Sequence, residues 1–173
     1  MPVKARRLTV AALSVLLAVC GAPASAQTAS GKPLRVAFFG FHLINTSLEL
    51  ARDAEKQRIA MIGDLLRRML TDSGRYQIVP LSDDLQQKIA QSADIMGCNG
   101  CQIEWARQAG ADLAAWGTVQ KVSNLILNLN VYMDETKDGR RYFAHSVDIR
   151  GNTDESWHRG LRYLVRHYLF DEK

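Results

Sequence analysis

After the N-terminal segment, the first strong apolar pattern is Leu34-Arg35-Val36-Ala37-Phe38-Phe39-Gly40-Phe41, a short aromatic and branched run that predicts a buried strand. Residues 42–55 carry no clear strand signal and predict a loop leading into a helix. From Ala54 to Ser73 the apolar residues Ile59, Ile62, Leu66, Met69 and Leu70 fall at helical spacing. Arg58, Asp64, Arg67, Arg68 and Asp72 lie mostly off that stripe, and Gly74 suits the residue that ends the helix. Tyr76-Gln77-Ile78-Val79 predicts a second short strand, stopped at Pro80.

Ser82 followed by Asp83 and Asp84 predicts a helix start, since acids suit the positive end of the helix dipole; this helix is expected to run to Ala93. The turn Gly97-Cys98-Asn99-Gly100-Cys101 precedes a short helix over Gln102–Ala109. The pattern then changes to period two. Leu125, Leu127, Leu129, Val131 and Met133 alternate with Ile126, Asn128, Asn130, Tyr132 and Asp134, a strand with one solvated face. Leu113–Lys121 before it and Tyr142–Ile149 after it complete an antiparallel meander. A final helix is expected from Thr153 to Phe170, capped by Asn152 with Glu155 closing a capping box. The order β-α-β-α-α-β-β-β-α predicts an α/β (α+β) fold, a single mixed sheet ending in a three-strand meander with helices packed against it.

The length of 173 residues fits one domain. Its net charge of +4 arises mostly from Lys4, Arg6 and Arg7, so nucleic acid is not an expected partner of the remainder. Those cations precede an apolar run from Leu8 to Val19 and then Ala24-Ser25-Ala26, the three parts of a signal peptide cleaved after Ala26. Residues 27–33 are then a flexible lead-in, and residues 34–173 the globular domain. Cys20 follows Val19, a branched residue where lipoprotein processing wants a small one. Export to the periplasm is expected, with no membrane-spanning segment left after cleavage.

Cleavage leaves Cys98 and Cys101, an even number in an oxidising compartment, which favours a disulfide. The pair is open to a structural role, to thiol–disulfide exchange, or to metal binding. A redox domain of the thioredoxin kind places its CxxC soon after the first strands, whereas this pair falls between two later helices. His42, His145, His158 and His167 form no HExxH motif, and Gln102 after Cys101 excludes the haem-attachment pattern. Asp134–Gly139 imitates the opening of a calcium loop, yet strands flank it and His145 would fill the twelfth position. There is no GxSxG motif, and Pro33 spoils a phosphate loop after Gly31-Lys32, so neither a catalytic residue nor a cofactor is assigned. Arg159, Arg162 and Arg166 share one face of the last helix and could dock an acidic partner. Asn128, Asn130 and Tyr132 on the solvated side of the meander offer a second contact surface.

Several segments together carry a resemblance: Ala37-Phe38-Phe39-Gly40-Phe41, Asp64-Leu65-Leu66-Arg67-Arg68-Met69-Leu70, Ser73-Gly74-Arg75-Tyr76-Gln77-Ile78-Val79, Ala109-Gly110-Ala111-Asp112 and Gly117-Thr118-Val119. In this order they resemble the superfamily of the TolB N-terminal domain, the curli secretion protein CsgG and the outer-membrane activators of penicillin-binding proteins. Cys98-Asn99-Gly100-Cys101 and Arg150-Gly151-Asn152-Thr153-Asp154-Glu155-Ser156-Trp157 are more closely similar to small secreted proteobacterial proteins grouped as a domain of unknown function. The resemblance implies a non-catalytic periplasmic module that binds another envelope protein. Thiol–disulfide exchange by Cys98 and Cys101 is the rival expectation, and carriage of a small ligand a third.

Overall fold

The computed structural model describes residues 31–91, 95 and 97–171; the expected signal segment lies outside them. Strand β1 covers Leu34–Asn45 and so runs past Phe41, where the sequence pattern stops. The cause is a bulge. Register with the neighbouring strand shifts between Phe38 and Phe41, and Gly40 takes a φ of +85°. Val36 and Phe38 face the core before the bulge, whereas Phe41 and Leu43 do so after it. The change of phase conceals the second half of the strand.

Helix α1 follows over Asp53–Asp72, ending at Ser73 with Gly74 in the left-handed region. The short strand β2 is Tyr76–Ile78, and α2 is Asp83–Gln91. Helix α3 spans Cys101–Gln108. Strands β3 (Leu113–Lys121), β4 (Ile126–Glu135) and β5 (Arg141–Arg150) form the meander. Helix α4 is Asp154–Leu164, and the chain continues through a wider turn over Val165–Leu169, where the Phe170 amide donates to the Val165 carbonyl at 2.9 Å. The order of elements is the one expected.

The five strands lie in the order β2-β1-β3-β4-β5. Strand β1 is parallel to β2 and β3, and the meander is antiparallel. On one face, Ile62, Leu66 and Leu70 of α1 and Trp157, Leu161 and Leu164 of α4 pack on Val36, Phe38, Leu129, Val131 and Met133. On the other face, Trp105 and Ala106 of α3 meet Phe39, Ala37, Ala114 and Trp116. Across the first face, the Tyr76 and Tyr142 hydroxyls lie 3.3 Å apart, joining β2 to β5. Burial, then the Tyr142 hydroxyl, pushes the Tyr76 phenol up.

The start of α4 departs from expectation. Thr153, not Asn152, is the N-cap, and its hydroxyl accepts from the Ser156 amide at 3.2 Å. Glu155 therefore closes no capping box, and Asn152 is turned inward to another task.

Candidate functional site

The C-terminal half of β5 and the outer side of α4 enclose a groove of about 550 Å³. Gly160 makes their close approach possible, because a Cβ there would lie 2.2 Å from Ile149 Cγ2. Arg150, Arg159, Asp148, Ser146, Tyr163 and Tyr168 line the groove. Arg159 reaches Glu155 at 3.5 Å, with both side chains largely in solvent, a contact of little strength. Arg162 is exposed along the same helix, whereas Arg166 borders a separate cavity with Met69, Asp72, Ser73 and Phe170. The His145 ring stacks on Tyr168 with centroids 4.3 Å apart, and Tyr163 meets Tyr168 edge-on at 6.0 Å. The neighbouring Tyr163 hydroxyl raises the Tyr168 phenol above its ordinary value.

The second expected contact surface is divided. Asn128 is half-buried and donates to Asp148 at 2.9 Å. Asn130 donates to the Thr118 hydroxyl at 3.1 Å. Tyr132 stacks on Trp116, with centroids 5.4 Å apart, and the Arg141 guanidinium lies 5.2 Å over its ring. These side chains hold the sheet together as much as they face outward.

Cys98 and Cys101 are joined as a disulfide. Cys101 opens α3, and both sulfur-bearing residues pack with Leu85, Ile95, Trp105 and Trp116. A smaller cavity of about 320 Å³ lies at the opposite end of β5, lined by Leu34, Asp112, Leu113, Glu135 and Tyr142. Among the described residues no group of three or more His, Cys, Asp or Glu is placed to hold a metal ion, and no helix is long and apolar enough to cross a membrane.

The sequence reading missed a buried polar network at the far end of the sheet. Lys121 Nζ lies 2.7 Å from Glu55 Oε1, both side chains being fully buried. Glu55 also accepts from the Arg52 amide at 2.9 Å and from Asn152 Nδ2 at 2.6 Å. Burial raises the Glu55 carboxyl, but Lys121, the Arg52 amide and Asn152 outweigh it, and the net direction is down. Asn152 Oδ1 in turn accepts from Trp157 Nε1 at 3.0 Å and from Arg58 at 3.2 Å. The Asn152 and Trp157 positions in Arg150–Trp157 are thus explained by one hydrogen-bonded corner. A signal existed: Lys121 is in phase with Leu113, Ala115 and Val119, and Glu55 with Ile59, Ile62 and Leu66.

The profile of a family described as "Protein of unknown function (DUF2380)" matches residues 34–169, nearly the whole described fold. The chain belongs to this family, DUF3280. No curated protein matches it. Among solved structures it is similar to the LpoB C-terminal domain from Salmonella enterica, at 15% identity over 69% of this chain and 84% of that one, with a TM-score of 0.52. The Escherichia coli LpoB C-terminal domain is similar at 16% identity over 67% and 82%, TM-score 0.50. Lipoprotein GNA1162 from Neisseria meningitidis gives 14% identity over 70% and 84%, TM-score 0.49. At such identities the shared property is the DUF3280 member's fold.

Proposed function

We propose that this chain is a non-catalytic protein-binding or adaptor module of the bacterial cell envelope, exported by residues 1–26 and working in the periplasm through the domain that starts at residue 34. The observation that carries the reading is the groove between α4 and β5, where Arg150 and Arg159 stand beside exposed tyrosines. Arginine and tyrosine are the residues most suited to anchor a protein partner. The fold shared with the LpoB domains supports an envelope setting, and the arginine face of α4 is the proposed contact.

The test is site-specific photocrosslinking from Tyr163 in intact cells, with and without reductant. One dominant protein adduct that resists reductant, and that fades when Arg159 and Arg162 are reversed to Glu, is the expected result. Adducts that vanish with reductant and with Cys98→Ala/Cys101→Ala would favour thiol exchange instead. That second reading has one observation on its side, the placement of Cys101 at the N-terminus of α3, where a thiolate is stabilised. The packing of the pair among Leu85, Ile95 and Trp105 supports the structural role.

A further inference from the structure

The sheet has two borders of different kinds. Strand β2 is three residues long, and Pro80 follows it closely. Strand β5 is ten residues long and, among the described residues, pairs with β4 alone. Natural edge strands are blunted by shortness, charge, proline or bulges, because their free amides and carbonyls otherwise recruit another chain. Strand β2 is blunted in this way. In β5, by contrast, Tyr142 to Val147 contains no Lys, Arg, Asp, Glu or Pro. Its irregularity is confined to the start, and pairing with β4 is regular from Phe143 to Arg150.

The groove runs beside Ser146–Arg150, so that side chains of an added strand would have a volume to fill. Its electrostatics select the occupant. Arg150 and Arg159 line it, and Arg162 is exposed one turn further along the helix. Of the nearby acids, Asp154 is held by Arg58 at 2.6 Å and Asp148 accepts from Asn128 at 2.9 Å. Glu155 meets Arg159 only weakly, at 3.5 Å, so Asp148 is the one acid that shares the groove's lining with Arg150 and Arg159 among the described residues.

We infer that β5 takes an added strand, an extended acidic segment of a protein partner whose main chain pairs with the free edge and whose carboxylates meet Arg150 and Arg159. Strand addition draws affinity from main-chain hydrogen bonds and specificity from alternate side chains in the groove. The inference rests on the protein-binding reading above and specifies its mode.

Panning phage-displayed peptides long enough to span β5 against the full chain, then measuring the selected peptides in solution, provides the test. The expected peptides are acidic. Their binding slows amide hydrogen exchange across Arg141–Arg150, and N-methylation of alternate peptide amides abolishes it in one register only. Arg150→Glu/Arg159→Glu weakens it by about tenfold or more. Peptides that bind without protecting β5, that show no preference for acid, or that cannot be selected at all overturn strand addition. So does protection of the same amides by self-association as the chain is concentrated. The Tyr163 crosslink keeps the two readings apart, since a protein adduct there with no strand-type peptide removes the mode and leaves protein binding standing. Binding to vesicles of equal parts phosphatidylglycerol and phosphatidylcholine that is lost in the double variant would assign the arginines to a membrane and overturn the inference.

Discussion

Lys121 Nζ lies 2.7 Å from Glu55 Oε1, and neither side chain reaches solvent. The pair ties the end of β3 to the first turn of α1. Removing one partner leaves a buried charge alone, so Lys121→Ala is expected to cost about 3–5 kcal/mol in urea unfolding. Lys121→Met/Glu55→Gln, which removes both charges and keeps an acceptor for Arg52 and Asn152, should recover most of that. A loss below about 1 kcal/mol for the single variant would show that the pair is dispensable.

The same carboxylates set a pH dependence. Both Glu49 and Glu55 are held below the ordinary value of 4.5, Glu49 first by Asn124 and Glu55 against the opposing effect of burial. A carboxyl depressed in the folded state adds stability above its unfolded value, and that stability is lost as pH falls through the lower, folded value. The thermal midpoint should therefore fall as pH drops below 4.5, and the fall should flatten in Lys121→Met/Glu55→Gln, where the Glu55 contribution is gone. An unchanged slope in that variant would remove Glu55 from the acid transition.

Much of this was open to a sequence reader, and the failures are physical. Period-two alternation exposed β4 because Leu127, Leu129, Val131 and Met133 are all buried on one side. The second half of β1 was hidden because the bulge at Gly40 reverses the phase of its apolar residues. Asn152 looked like a cap because it precedes acids, yet Thr153 takes that place and Asn152 joins Glu55, Arg58 and Trp157. Such a corner draws on residues almost a hundred positions apart, which local pattern does not report. Helical spacing groups Arg159, Arg162 and Arg166, yet Arg166 lies at a separate cavity beside Asp72, and Gly160, the residue that lets the helix rest on β5, carries no signal of its own.

Helix propensity alone would make Gly160→Ala stabilising by about 1 kcal/mol. Here the added methyl group would fall 2.2 Å from Ile149 Cγ2, and overpacking of that kind costs about 1–3 kcal/mol. Gly160→Ala is therefore expected to lower the thermal midpoint, with Ile149→Ala in the same chain relieving the clash. A raised midpoint for the single variant would contradict the close contact of α4 with β5.

For the disulfide, Cys98→Ala/Cys101→Ala should lower stability by about 2 kcal/mol or less, the amount suited to so short a ring. The structural role further predicts that Cys101→Ala alone traps no mixed disulfides on non-reducing gels. Accumulation of such adducts would turn the assignment toward thiol exchange.

The two candidate contact faces can be separated by what their loss disturbs. Arg159→Glu/Arg162→Glu/Arg166→Glu should weaken partner capture by about tenfold with the unfolding midpoint nearly unchanged. Asn130→Ala should instead cost about 1 kcal/mol of stability, through the lost bond to Thr118, and leave capture intact. The reverse pattern would move the contact to the open face of the meander.

The hydroxyl bridge between Tyr76 and Tyr142 brings together the first and last strands of a five-strand sheet. A sheet fastened at that end cannot spread there without parting the two phenols, whereas no such clasp joins its borders near Arg150 among the described residues. The structure thus has a shut end and an open one. A chain approaching β5 has its freedom at the Arg150 end, so the clasp gives the border a direction as well as a length.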